Sequence, residues 1–167
     1  MRLLIHDANV LIDLIDIGLL DCAMGLPCVM ETTDLVRREV QTPEQAQALA
    51  ECIERGALAV VTSSIEQLAR IGTLQGQCPQ LSLADCSVVF HALDRSGIVL
   101  SGDGRLRREA EAKKLEVHST PWILGLMVEH GFIDSTVAAD KLEYLVTINQ
   151  RLPQKECTKI IESWKRR

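Results

Sequence analysis

Short apolar runs alternate with amphipathic stretches along the first two thirds of the chain. The runs predict strands at residues 3–5, 26–30, 57–61, 98–101 and 115–118. Most of them are apolar throughout rather than alternating with polar residues, which is typical of strands buried on both faces of a parallel sheet. The run at 57–61 is expected at an edge or in a hairpin rather than in the centre of the sheet.

Amphipathic stretches with helical spacing separate the predicted strands. They predict helices at residues 9–15, 33–40, 43–56, 63–73, 82–96 and 105–114, with a loop at 76–81. The connections are short and the strand–helix order repeats. This order predicts an α/β fold with three layers, α/β/α, around a central, mainly parallel sheet.

The rest of the chain is predicted to be helical only. We expect one helix from Pro121 to Gly131, a second that begins at Asp134 or Ser135 and ends near residue 150, and a third after Pro153 that ends in the basic residues 165–167. The chain therefore divides into an α/β domain at residues 1–124 and a C-terminal helical extension at 125–167 that packs on the same domain.

Composition limits the classes of function that are open to the chain. With 167 residues it is long enough for one domain with a substantial core. Aromatic residues make up only 3% and the net charge is −5, so base stacking on aromatic platforms and nonspecific duplex binding are both disfavoured. Any nucleic-acid role needs a local basic patch or bound metal.

Two further features of the sequence bear on location and on metal type. The N-terminus lacks the pattern of a signal peptide and no apolar stretch reaches membrane-spanning length, so we expect a cytoplasmic protein without a membrane partner. The six cysteines and four histidines are scattered, without the closely spaced pairs that a structural zinc site requires.

Four acidic residues are placed where ligands gather in a parallel α/β sheet. Asp7, Asp85 and Asp103 each lie at a turn into a helix, and Glu39 lies inside the predicted helix at 33–40. If the strands are parallel neighbours, these positions share the carboxyl edge of the sheet. The alternative interpretation stays open: each aspartate is a helix cap, and Glu39 is a solvated helix residue.

A convergent acidic cluster needs cations. Two unit charges 4 Å apart repel by about 4 kcal/mol at an effective dielectric constant near 20. Hard oxygen ligands favour Mg²⁺ or Mn²⁺, which also bind phosphate oxygens. Paired ions of this kind assist phosphodiester hydrolysis.

The segments around these acids resemble a known family. HDANVLIDL, TTDLVRREV, LSLADCSVVFHA and LSGDGRLRREAEAKKLEV are similar, in order, to the four acidic motifs of PIN-domain nucleases. The resemblance covers roughly residues 1–124. It implies a metal-dependent endoribonuclease that hydrolyses RNA, commonly as the VapC-like toxin of a toxin–antitoxin pair. It also implies frequent homodimers and a small antitoxin protein as partner. The tail is longer than in the shortest toxins and resembles the extra helices of a stand-alone subgroup.

The resemblance also implies roles for individual residues. Asp7 anchors the principal Mg²⁺ or Mn²⁺ ion, while Asp85 and Glu39 complete its ligands directly or through water. Asp103 orients water or holds a second, weaker ion. Asn9 and Ser101 are expected to donate hydrogen bonds that fix the carboxylates. The reaction that the resemblance implies is an in-line attack of water on phosphorus that leaves a 5′-phosphate.

Basic residues follow Asp103 directly. Arg105 and Arg108 are three residues apart, which places them on one face of the predicted helix. They are candidates for contacts to RNA phosphates. The alternative is an ordinary solvated helix face.

Rival functions make different demands on the same positions. An aspartyl-phosphate phosphatase needs a second aspartate where the chain has Asn9, and a response-regulator receiver needs a lysine where the chain has acidic Asp103. A catalytically silent module that keeps this fold and acts through protein contacts is the alternative from another class. Cleavage of RNA that is sensitive to EDTA separates this module from the nuclease.

Overall fold

Five parallel strands form the centre of the molecule. In a computed structural model, which describes residues 1–166, they lie in the order β3-β2-β1-β4-β5. The strands are β1 Arg2–His6, β2 Cys28–Thr33, β3 Ala59–Val61, β4 Ile98–Leu100 and β5 Val117–His118. Helices cover both faces of the sheet, so the predicted three-layer α/β/α fold is confirmed, and β3 lies at an edge as expected.

The register of the strands aligns their carboxyl ends. His6 at the end of β1 pairs with Thr32 of β2 on one side and with Leu100 of β4 on the other. The backbone N–H of Asp7 donates to the carbonyl of Leu100 at 2.9 Å, which continues this alignment by one residue. The residues that follow β1 and β4 therefore start from the same edge of the sheet.

Ten helices lie within residues 1–166. They are α1 Ala8–Asp16, α2 Leu20–Met24, α3 Asp34–Arg37, α4 Pro43–Glu54, α5 Ile65–Gln77, α6 Leu83–Arg95, α7 Gly104–Ala112, α8 Thr120–Glu129, α9 Ser135–Ile148 and α10 Gln154–Lys165. All but α2 occupy predicted positions. A helix of five residues is too short to show a helical repeat in the sequence.

Helix α5 is longer than predicted. The prediction of a loop from residue 76 was wrong for Gly76 and Gln77, which belong to the helix. Gly76 lies within the helix and does not adopt a positive φ, so it forms no turn at this position. The chain leaves the helix at Cys78, directly before Pro79, because a proline disfavours helical backbone angles in the residue that precedes it.

Helix α3 is shorter than the predicted helix at 33–40, and Glu39 does not lie inside it. The N–H of Glu39 donates to the carbonyl of Val36 and that of Val40 to Arg37. These bonds to the third preceding residue tighten the chain into a turn after Arg37. The side chain of Val40 enters the core, and Glu39 projects from the turn with an exposed side chain.

The C-terminal helices share the core of the rest of the chain. Leu142, Leu145 and Trp164 belong to the same cluster of buried residues as the strands. Buried Asp13 of α1 accepts hydrogen bonds from the Thr120 hydroxyl at 2.7 Å and from Asn149 Nδ2 at 2.9 Å. The division at residues 124 and 125 stays a prediction, and Arg167, the predicted end of the last helix, lies outside the described residues.

We expect Asn149→Ala to destabilise the fold by about 1–3 kcal/mol, because it removes a hydrogen bond from a buried carboxylate. Urea unfolding measures this loss. Gln150→Ala is the control, because Gln150 is exposed on the same loop, and it should stay within about 0.5 kcal/mol of the wild type. Equal losses in the two variants would contradict a structural role for the contact with Asp13.

No helix in residues 1–166 combines the length and the apolar character that crossing a membrane requires.

Candidate active site

The carboxylate of Asp7 is fixed by three hydrogen bonds at the edge of the sheet. Asp7 follows β1 directly and is only 2% exposed. Its Oδ1 accepts from the N–H of Ala8 at 2.7 Å. Its Oδ2 accepts from Asn9 Nδ2 and from the Ser101 hydroxyl, both at 2.7 Å. Asp7 therefore caps the N-terminus of α1, and the Ser101 hydroxyl in the loop after β4 binds the same carboxylate.

Asn9 and Ser101 connect Asp7 to the loop that carries Asp103. Asn9 Oδ1 accepts from the N–H of Gly102 at 2.8 Å, and Ser101 Oγ accepts from the N–H of Asp103 at 3.1 Å. Ser101 is fully buried. One network thus joins the first and the fourth of the acidic segments.

Asp103 caps α7. Its Oδ1 accepts from the N–H groups of Arg105 at 2.9 Å and Leu106 at 3.0 Å. Its Oδ2 lies 3.9 Å from Arg105 Nη2. The capping interpretation therefore accounts for one oxygen of this carboxylate, and the other lies beside a guanidinium.

Asp85 belongs to a capping box at the start of α6. Its Oδ2 accepts from the N–H of Ser82 at 2.8 Å, while its own N–H donates to the Ser82 hydroxyl at 3.0 Å. Each of the three aspartates thus stabilises a helix start, as the capping interpretation predicts.

Electrostatic coupling links Asp7, Asp85 and Glu39. The pKa of Asp7 is raised to about 7, first by burial, and further by the negative charges of Asp85 and Glu39, against the lowering effect of its hydrogen bonds. Desolvation and then Asp85 raise the pKa of Glu39, and a hydrogen bond with Ser82 opposes them. The three acids share one region of negative potential. The backbone of Asp103 is connected to Asp7 through the Ser101 hydroxyl.

The chemistry of these donors fits a divalent cation. A buried carboxylate whose pKa is raised by neighbouring acids is stabilised as an anion when a cation lies beside it. Within residues 1–166, no three His, Cys, Asp or Glu side chains are already arranged as a metal-binding group. Mg²⁺ commonly keeps several waters and uses only one or two carboxylates. The donor set therefore suits Mg²⁺ or Mn²⁺ held by few direct ligands, rather than a closed cage of four.

Arg107 lies beside this network, although the sequence alone did not distinguish it from its basic neighbours. Arg107 Nη1 donates to the carbonyl of Ser101 at 3.3 Å, and its side chain is 32% exposed. Arg105 and Arg108, the residues singled out from the sequence, are both exposed. The available signal was the spacing of four residues between Asp103 and Arg107, which places Arg107 one helical turn from the cap.

Comparisons with known proteins bear on the family and the fold. A family model described as PIN domain matches residues 3–166. None of the curated proteins matches the sequence. Among solved structures, VapBC2 from Rickettsia felis bound to a DNA fragment from their promoter is similar, with a TM-score of 0.51 and 14% sequence identity. That match covers 71% of this chain and 98% of the other, and at this identity it shows the fold alone. Since the family model spans nearly the whole chain, the protein belongs to the PIN-domain family.

Proposed function

We propose that this protein is a metal-dependent endoribonuclease that hydrolyses RNA phosphodiester bonds with Mg²⁺ or Mn²⁺. The observation that carries the proposal is the environment of Asp7: a buried carboxylate, oriented by Asn9 and Ser101, whose pKa is raised in part by Asp85 and Glu39. Membership of the PIN-domain family supports the nuclease class.

Asp7 would hold the cation, with Asp85 and Glu39 binding it directly or through water. When bound, such an ion lowers the pKa of water and offsets charge on the phosphate. Asn9 and Ser101 keep the Asp7 carboxylate in one orientation, so little rearrangement is needed on binding. Asp103 would orient water or hold a second ion. The Asp103 backbone is positioned for this role by the Ser101 hydroxyl.

Metal removal tests the proposal directly. We expect the purified protein to cleave members of a mixed RNA panel in Mg²⁺ or Mn²⁺, to lose this cleavage in EDTA, and to regain it when the metal is restored. A matched DNA panel should be cut less. Cleavage that survives EDTA, or no cleavage of any RNA with either metal, would contradict the proposal; the second result would favour the catalytically silent module.

Arg105 and Arg108 are proposed to contact RNA phosphates near Asp103. We expect Arg105→Gln with Arg108→Gln to weaken RNA binding several-fold and to reduce the slope of log K against log salt by about 0.7 per lost contact. Fluorescence anisotropy at three salt concentrations measures both quantities. Lys159→Gln, an exposed residue on α10, is the control. If the double substitution does not change the slope of log K against log salt, these arginines face solvent and do not contact RNA phosphates.

A small antitoxin protein is proposed as a partner. The support is the sequence resemblance to VapC-like toxins, together with the likeness of the fold to VapBC2. We expect the adjacent reading frame to encode a small DNA-binding protein, and we expect that protein to suppress RNA cleavage when the two are mixed.

A further inference from the structure

We propose that a groove between the Asp103 loop and the C-terminal helices binds the single-stranded RNA substrate on one side of the cleaved bond, with Arg107 and Arg151 contacting its phosphates. This inference rests on the proposed ribonuclease function and adds a binding subsite to it. The groove consists of two adjoining cavities of about 320 and 220 Å³. The cavities share four lining residues, namely Arg107, Ser119, Pro153 and Glu156. We call it the C-terminal groove.

The C-terminal groove is continuous with the candidate active site. Gly102 and Gly104 line its larger cavity, and these two residues flank Asp103 on both sides. Arg107 also lines it while donating to the carbonyl of Ser101, whose hydroxyl binds Asp7. A strand that crosses the acids therefore meets this groove immediately beside Asp103.

The charge of the groove suits a phosphate backbone. Arg107 and Arg151 line the groove together with one acidic residue, Glu156, within a chain whose net charge is −5. Arg107 Nη2 also lies 3.9 Å from Glu111 Oε1, outside the lining, so Arg151 is the arginine with the more available charge. Within residues 1–166, the guanidinium of Arg151 has no carboxylate within salt-bridge distance, and it remains exposed. An arginine side chain that is free in this way is available to bind phosphate oxygens.

The loop that carries Arg151 is fixed in place. The N–H of Arg151 donates to Asn149 Oδ1 at 3.0 Å, and Asn149 Nδ2 donates to buried Asp13. Arg151 therefore approaches the Asp103 loop from a position set by the core, and a bound strand needs little ordering of this backbone.

The smaller cavity extends the groove toward β5 and α8. Its walls include Pro121, Pro153 and Trp122, and the ring of His118 stacks on Trp122 at a centroid distance of 4.0 Å. These apolar walls are suited to a ribose or to the edge of a base. The combination of apolar walls with two arginines favours a nucleotide strand over an isolated anion.

RNA binding by the inactive protein tests the inference. The probe is a fluorescein-labelled, single-stranded 12-nucleotide RNA of mixed sequence in Mg²⁺ buffer, bound to the Asp7→Asn protein. In that background we expect Arg151→Gln to raise Kd about 5–10-fold and to reduce the salt slope by about 0.7. Lys155→Gln is the matched control, because it removes the same charge from an exposed residue four positions away that does not line the groove. It should change Kd less than about twofold.

A second readout reports on the smaller cavity without relying on charge. RNA should quench the tryptophan fluorescence of the Asp7→Asn protein, and Trp122→Phe should remove most of this quenching, since the other tryptophan, Trp164, is buried on α10. The inference is overturned if Arg151→Gln binds RNA like Lys155→Gln, if quenching persists without Trp122, or if the protein binds no RNA.

Cleavage by the wild type distinguishes the two proposals. If the wild type cleaves RNA and Arg151→Gln behaves like its control, the groove inference fails alone. If RNA binds through Arg151 but the wild type cleaves nothing, the groove stands and the ribonuclease proposal fails.

Discussion

Asp7→Asn is expected to lower metal-dependent RNA cleavage by about 10³-fold or more, equivalent to about 4 kcal/mol of transition-state stabilisation. The substitution removes the negative charge from the side chain at the centre of the acidic cluster. It keeps an oxygen that can accept from the N–H of Ala8, so the start of α1 should be preserved. The measurement is kcat/KM on a cleaved RNA in Mg²⁺, with circular dichroism to establish that the fold is intact.

Asp140→Asn provides the matched control for this loss. Asp140 is exposed on α9, and the same chemical change there should leave cleavage within about twofold. The joint variant Asp7→Asn with Asp103→Asn should be no more active than Asp7→Asn alone. Cleavage that survives the joint substitution would contradict the mechanism whatever the fold.

The second large effect is on stability as a function of pH in metal-free buffer. Burial and neighbouring acids raise the pKa of Asp7 from 3.8 to about 7. Between these values the folded state binds more protons than the unfolded state, so the contribution of Asp7 to stability falls as pH rises. At about 1.4 kcal/mol per pKa unit the upper bound of this effect is about 4 kcal/mol.

A difference measurement isolates the contribution of Asp7. His6 acts in the opposite direction, because burial lowers its pKa from 6.5 to about 4 and its contribution to stability is lost as pH falls through this range. Urea unfolding of the wild type and Asp7→Asn in EDTA at pH 4, 5.5 and 7.5 cancels the His6 term. We expect the stability of the variant relative to the wild type to increase with pH. If the free energy of unfolding depends on pH in the same way for the two proteins, ionisation of Asp7 does not destabilise the folded state and the prediction is wrong.

The sequence predicted the parts of the site that depend on local order. An apolar run followed by Asp7, and another followed by Ser101, indicated strands that end at acidic turns. The parallel pairing of β1 with β4 then brings these turns together. Because a parallel sheet aligns the carboxyl ends of its strands, convergence follows from the order of elements alone.

The parts that were missed depend on contacts between distant segments. Leu35, Val36 and Val40 have helical spacing, but the chain turns after Arg37, so Glu39 lies outside the helix. Helical spacing grouped Arg105 with Arg108. It did not indicate which face of α7 lies against the Ser101 loop, and that face carries Arg107. The position of Arg151 depends on Asn149 and Asp13, which are 136 residues apart.

The bond between Asn149 and Asp13 has a consequence for how this chain can be shortened. A version that ends before residue 149 would leave the Asp13 carboxylate with the Thr120 hydroxyl as its remaining side-chain donor within residues 1–148. A buried carboxylate with too few hydrogen-bond donors destabilises the fold. We therefore expect related proteins that lack the last helix and the loop before it to carry a neutral residue at position 13. Aspartate at this position would then be a marker, readable from sequence, of PIN-domain proteins whose terminal helices are integral to the fold.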